Sequence, residues 1–578
     1  MGVGQEKETS SGSLGNEEVG AISHQGTVPA YVEVERDPNF YTRNGLNLES
    51  FKKRFYGPGI VELERPMKPR HLHMIAIGGS IGAGFFVGSG TALADGGPAS
   101  LLLDFAIIGI MMFNVVYALG ELAVMYPVSG GFYTYSSRFI DPSWGFAMGW
   151  NYVMQWAVVL PFELTVCSIV IQYWDSNTDH IAIYITVFWI LITLISVFGA
   201  LGYAEEEFLS SFIKLTMTVV FMIIAIICVL GGGPDDGRYN TYQGAKTWYE
   251  PGAFNNGFVG FCSVFVTAAF SFAGTELVGL AAAESKNPVK NLPGAVKQVF
   301  WRITLFYILG LFFIGLLIPY DDSGLMGEDE DGNKLEGGYA AASPFVLVGK
   351  YAGLTGFDHA MNTVILVSVM SIGMSCVYGG SRTLTAMAQT GYAPRIFTYI
   401  DKSGRPLFST IAIVIFGPLA YVVCLPGDDG DEIFGWLLAL SGLAALFTWG
   451  SICLAHIRFR AAWKAQGHTL DEIPFRAAFG VIGSWVGLIL CILVIIAQVY
   501  SSLADDPNAE DFFLSCLAIP VVLLFWLIGF FWKKTGWLRL DQIDVDSNRR
   551  ELDWDAIRAY RAEIAALPTW KRILHRFF

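Results

Sequence analysis

The chain has 578 residues, 53% of them apolar and only 15% charged, where soluble proteins carry about 25% charged residues. Its mean hydropathy of +0.48, averaged over polar tails as well, excludes an ordinary soluble, disordered or collagen-like chain. A net charge of −14 argues against nucleic-acid partners, and eight cysteines with no CxxC pair, each inside an apolar run, suggest neither a disulfide framework nor a zinc site.

Residues 1–70 form a polar tail whose first 30 residues, rich in Gly, Ser and Glu, read as disordered. Lys7 is its only lysine before Lys52. The first apolar run opens near Met74 and is not a cleavable leader, because it stays apolar for about 20 residues. Twelve runs long enough to cross a bilayer, which takes about 20 residues each, are predicted at 74–94, 99–124, 145–173, 181–201, 208–231, 258–283, 298–319, 360–387, 406–425, 433–457, 478–502 and 511–532. The expected fold is an all-α polytopic membrane protein with 12 transmembrane helices over 71–532 and a charged tail over 533–578.

The first span is unusual. Between Gly78 and Gly90 glycine fills six of thirteen positions, and each weakens a helix by about 1 kcal/mol relative to Ala. A broken helix is expected there, with backbone N–H groups free to meet an anion. Unwound backbone within a membrane is tolerated only where it is buried or lines a cavity. Close helix packing through Gly84-x-x-x-Gly88 is the blander alternative. The sixth span repeats the anomaly at Phe270-Ser271-Phe272-Ala273-Gly274-Thr275-Glu276. Two interrupted spans at matching places in two five-span halves point to a transporter site built from inverted repeats. Helix N-termini there would face an anionic group and free carbonyls a cationic one; an amino acid zwitterion carries both.

Ionisable residues within spans are costly and usually functional. Asp104, in span 2, is expected to snorkel or face water. Glu121, at the inner end of span 2, opens Glu-Leu-Ala-Val-Met-Tyr-Pro-Val-Ser-Gly-Gly and reads as structural or gating. Glu163 in span 3, Lys214 in span 5 and Glu276 in span 6 are the candidates for handling substrate or proton, with a purely structural partner role as the alternative. For Lys214, six residues into the predicted fifth span, snorkelling to the cytosolic face is a further alternative. Histidines lie in loops, tails or at span ends, and neither HExxH nor a nucleophile elbow occurs. No enzyme activity, catalytic residue, metal or cofactor is therefore expected.

The outer loops hold only Arg238, Lys246, Lys334 and Lys350 among the basic residues, and both termini are accordingly placed in the cytosol. From Asp553 the C-terminal tail can form an amphipathic helix ending in Lys571-Arg572-Ile-Leu-His-Arg576-Phe577-Phe578. Such a patch suits a lipid surface or docking on the protein's own inner loops.

Several segments carry a resemblance: Lys68-Pro-Arg-His-Leu-His-Met-Ile-Ala-Ile-Gly-Gly, Gly120-Glu-Leu-Ala-Val-Met-Tyr-Pro-Val-Ser-Gly-Gly-Phe, Phe270-Ser-Phe-Ala-Gly-Thr-Glu-Leu-Val-Gly and Lys297-Gln-Val-Phe-Trp-Arg-Ile-Thr-Leu-Phe-Tyr-Ile. With Asp401-Lys-Ser-Gly-Arg-Pro-Leu and His456-Ile-Arg-Phe-Arg, they resemble fungal (yeast-type) amino acid permeases of the amino acid–polyamine–organocation superfamily. The stretch from Ile543 is most similar to the general amino acid permeases. The resemblance implies a LeuT-like 5+5 inverted repeat plus two C-terminal helices, and proton-coupled import of L-amino acids at the plasma membrane. It also implies that Ser80, Ile81, Gly82, Ala83 and Gly84 hold the substrate carboxylate. The carbonyls of Phe270, Ser271 and Ala273 would hold the ammonium beside Thr275, and Phe272 would act as a lid. Lys214 aligns with a lysine that occupies a sodium site in proton-coupled relatives. Lys7 would be ubiquitinated through ligase adaptors at the tails. An amino-acid sensor of the same fold with little transport is the alternative; a channel would want pore-lining rings, and none is visible.

Overall fold

The computed structural model describes residues 41, 45–54, 67–126, 131–175, 177–284, 288–326, 343–425, 429–504, 509–550 and 554–574. Lys7 and the last four residues of the C-terminal patch lie outside them. Among the described residues regular structure is helical, apart from isolated bridge residues such as the pair Lys53 and Asp401.

The first predicted span is divided. Helix α1 (Pro69–Gly78) starts on a helix-compatible proline and ends at the glycine cluster, and α2 (Ala83–Phe86) resumes after four residues. The run α3 (Gly88–Met125) has 38 residues, far more than one bilayer crossing of about 20 needs. It is broken at Gly97 (φ 79°, ψ 170°), just before Pro98, which separates the outer part of the first span from the second.

Next come α4 (Pro142–Ile171), capped by the Asp141 carboxylate on the Trp144 N–H, α5 (Ile181–Ser196) and α6 (Gly199–Val229). The fifth predicted span thus begins nine residues early, at 199 instead of 208. The three acids Glu205, Glu206 and Glu207 read as a loop in sequence. They lie inside the helix because Glu207 is buried against polar partners and Glu205 pairs with Arg70. The sixth span is split into α7 (Gly257–Phe272) and α8 (Leu277–Ala283). The seventh runs from α9 (Pro288–Arg302) through a π-helical turn, Ile303–Ile308, into α10 (Leu309–Leu317).

After these lie α11 (Phe357–Gln389), α12 (Leu407–Val414) continued by a 3₁₀ segment Gly417–Cys424, α13 (Asp429–Ala465) and α14 (Gly480–Ala504). The twelfth run is divided into α15 (Ala509–Cys516) and α16 (Ala518–Lys533). By length and composition ten helices among the described residues can cross a membrane, and the divided first and twelfth runs are not among them. The molecule is thus a multi-pass membrane protein. Its core is packed by α4 against α11 and α3 against α7, while α5, α14 and α16 turn mostly exposed apolar faces outward, as lipid-facing helices do.

Candidate functional site

The two broken spans meet. At the first break the glycines leave carbonyls without helical partners, and side chains from other helices take them. The Ala76 carbonyl accepts from the Arg302 guanidinium at 2.8 Å, the Ser80 carbonyl from the Tyr307 hydroxyl at 3.1 Å, and the Ile81 carbonyl from the Lys214 ammonium at 3.3 Å. At the second break Ala273 leaves the helix (φ −58°, ψ 141°) and Gly274 takes φ +92°, a conformation that favours glycine. There the Ser271 carbonyl accepts from the same Tyr307 hydroxyl at 2.7 Å. One phenol thus ties both breaks together.

The breaks approach closely because Gly84 has no side chain. A Cβ there would lie 2.8 Å from the Ser271 Cα and 2.8 Å from the Phe270 ring. Between them is a small cavity of about 10 Å³, room for about one water. Gly82, Ala83 and Gly84 line one side, Phe270 and Ala273 another, and Glu163 of α4 the wall between. Ser80 also lines it; its Oγ lies 3.3 Å from the Thr275 hydroxyl, which donates to it.

Of the ionisable residues singled out in the sequence, Glu163 and Lys214 flank this region. Glu163 is buried, with one carboxylate oxygen lacking any hydrogen-bond partner. Lys214 is fully buried, so its side chain does not snorkel. Besides the Ile81 carbonyl, its Nζ sits 3.3 Å from Glu207 and 3.4 Å from the Ser371 hydroxyl. Glu207 in turn accepts from Ser211 at 2.7 Å and Ser371 at 2.5 Å. The buried cation therefore links α6 and α11 to the first break.

Glu276 lies apart from that network and accepts from Tyr152 and Trp449, both at 3.2 Å. Glu121 accepts from two guanidinium nitrogens of Arg460, at 2.5 and 2.8 Å, and from the Ala477 N–H at 2.7 Å, and has a contact from His456 at 3.1 Å. It clamps the end of α3 to α13. Asp104 neither snorkels nor faces water; it is fully buried, and neither carboxylate oxygen has a hydrogen-bond partner. Phe272 stacks on Tyr307 with centroids 4.3 Å apart, and it is Phe270 that lines the cavity.

Three residues at this site escaped sequence reasoning. Arg302, a basic residue near the start of the seventh predicted span, is fully buried and donates to the Ala76 carbonyl and, at 2.5 Å, to the Thr275 hydroxyl. Tyr307 sits in an apolar run, and Glu207 in what read as a loop. The π-helical turn sets Arg302 and Tyr307 toward the breaks. Such turns often mark functional sites, but nothing in local composition announces one here.

Residues 71–542 match the amino acid permease family. The chain is 68% identical to the amino-acid permease inda1 of Hypocrea atroviridis, covering 94% of each chain. To the general amino-acid permease GAP1 of Saccharomyces cerevisiae it is 48% identical, covering 88% of this chain and 85% of that one. Among solved structures, it resembles MhsT in complex with L-phenylalanine at 15% identity and a TM-score of 0.50, over 76% of this chain and all but 1% of the other. That last likeness bears on the fold alone, the LeuT-like arrangement that two broken helices in two five-span halves anticipate.

Proposed function

Since the chain belongs to the amino acid permease family, we propose that it imports L-amino acids together with protons across the plasma membrane, over a broad substrate range, by alternating access. The observation that carries this reading is the meeting of the two broken helices around one small cavity with Glu163 in its wall. The backbone of Ser80 to Gly84 presents N–H groups and the start of α2 to a carboxylate, whose charge suits a helix N-terminus. The Phe270, Ser271 and Ala273 carbonyls offer acceptors to an ammonium. Phe270 lies against the cavity, and Phe272, the lid that the family resemblance implies, stacks on Tyr307. Because backbone groups recognise only what all amino acids share, side-chain selectivity is left to the surrounding walls. A broad range follows, in keeping with the name borne by the Saccharomyces relative.

For the proton, Lys214 is the coupling group and Glu163 its exchange partner. Lys214 holds the Ile81 carbonyl, and loss of that contact frees the first break to move. The concentration of basic residues at one end of the bundle supports cytosolic termini. Lys7 is the proposed ubiquitination site in the tail, and Lys7→Arg is expected to lengthen surface residence under nitrogen excess; turnover equal to wild type would rule it out.

The deciding experiment is radiolabelled uptake in permease-deficient yeast, with all twenty amino acids as competitors, at two external pH values. Uptake inhibited by many amino acids and stimulated at the lower pH is expected. Uptake of one substrate alone removes the broad range, pH-independent uptake removes the coupling, and no uptake favours a sensor.

A further inference from the structure

A second cavity, far larger than the one between the breaks, has no part in transport as described. It is an open groove of about 710 Å³ at the end of the bundle where α4 begins and α11 and α16 finish. Its walls are the rings of Phe146, Trp150 and Tyr392 on one side, and Phe525, Ile528 and Trp532 of α16 on the other. Ile528 and Trp532 are 45% and 54% exposed, and Leu523, Leu524, Leu527 and Phe531 on the same helix are exposed as well. In a membrane protein such a helix face meets hydrocarbon, so the groove opens sideways into lipid.

Two cations stand at its rim. Arg395 lines the groove and is exposed. Lys533, the last residue of α16, holds its ammonium 4.6 Å from the Tyr392 ring and 4.6 Å from the Trp532 ring. Among the described residues neither is paired with a carboxylate, although many of the other arginines at this end are bound to acids or carbonyls, as Arg138, Arg405 and Arg460 are. An apolar slot open to hydrocarbon, capped by unpaired positive charge and bordered by Trp and Tyr at headgroup depth, complements one class of molecule. A sterol would leave both cations unmet. A free anion would leave the aromatic walls unused.

We propose that this groove binds an anionic phospholipid, with one acyl chain between α4 and α16 and the headgroup phosphate and carboxylate between Arg395 and Lys533. Basic side chains near an anionic leaflet each attract it appreciably, and here two are fixed beside one slot. The site is distinct from the substrate cavity and does not rest on the transport reading.

The test uses the full-length protein purified in detergent with mixed phosphatidylserine and phosphatidylcholine, its retained lipids quantified by native mass spectrometry. Wild type is expected to retain phosphatidylserine preferentially. The double variant Arg395→Gln/Lys533→Gln is expected to retain it roughly 30-fold less, from two charges at the rim. Ile528→Trp, which fills the slot but keeps both charges, should also lose it. Equal retention by either variant overturns the site. So does displacement of the lipid by inorganic phosphate, which would mark a free-anion site, or preferential retention of a sterol. Efficient disulfide cross-linking of Ile528→Cys between two copies in phosphatidylserine-containing vesicles would assign the groove to a second copy of the chain and overturn the proposal as well.

Discussion

Two residues at the site show how much rests on single atoms. Gly84 is the point of closest approach between the broken helices, and a β-branched side chain would begin 2.8 Å from the Ser271 backbone, a separation Cβ atoms do not adopt. The two breaks would have to part. Gly84→Val is expected to reach the membrane and to lose essentially all uptake, by surface labelling alongside radiolabelled transport; uptake within twofold of wild type would place the substrate elsewhere. Lys214 poses a different problem. Removing it alone leaves Glu207 buried without its cation, which costs about 3–5 kcal/mol and risks the fold. The double variant Lys214→Met/Glu207→Gln takes away both charges and keeps the volume. It is expected to reach the surface and exchange amino acids down a gradient, with substrate-induced proton current reduced at least about tenfold, equivalent to 1.4 kcal/mol of lost coupling. A current equal to wild type would pass the coupling role to Glu163 or Glu276.

At the scale of the element, the π-helical turn of the seventh span is the piece that holds the site closed. Tyr307 bridges the Ser80 and Ser271 carbonyls at 3.1 and 2.7 Å, so a single hydroxyl spans both breaks. Tyr307→Phe keeps the ring on Phe272 and removes the one O–H proton that the two carbonyls share, a cost of about 1–3 kcal/mol. The breaks should open more readily, with apparent substrate affinity falling roughly tenfold while surface level holds; unchanged affinity would make the bridge incidental. The breaks themselves were legible because glycine density and interrupting hydroxyls are local signals. The start of α6 was not: three consecutive acids argue for a loop until a partner such as Ser371 or Arg70, more than a hundred residues away, is known to meet them. Arg302 fails for the same reason. Its burial depends on a carbonyl freed by a glycine cluster over two hundred residues earlier, and a basic residue at a span end otherwise reads as a loop anchor. Asp104 remains the inverse case, a carboxylate whose burial the structure shows and no neighbouring hydrogen bond explains.

On the scale of the whole molecule, the bundle is strapped across the end at which α3 finishes and α4 begins. Beyond α16 the segment 534–550 runs along that face with buried Ile543 and Val545 beneath it. It joins elements that are remote in sequence. The Leu538 N–H donates to the Ile140 carbonyl at 3.0 Å, the Arg550 N–H to the Met125 carbonyl at 3.1 Å, and Tyr126 to the Val545 carbonyl at 2.7 Å. Arg138 donates to the Asp544 and Ser547 carbonyls, both at 2.6 Å, and Gln466, just past the end of α13, to the Ile543 carbonyl at 2.7 Å. The strap therefore fastens the end of α3 to the start of α4 and the end of α13. The Glu121–Arg460 clamp reinforces the same joint from inside. Under the proposed alternating access this end opens in one state, so each strap bond formed only when it is shut favours the closed state. No strap residue lines the cavity between the breaks, which separates the effect on gating from any effect on binding. Truncation after Lys533 should lower the melting temperature in detergent by several degrees. It should also raise the labelling rate of a single cysteine placed at Thr275, beside the cavity, severalfold from the strapped side, with the order of competitor preference unchanged. A truncated protein that melts and labels like wild type would mean the clamp alone holds the face, and the strap would then be a passenger on it.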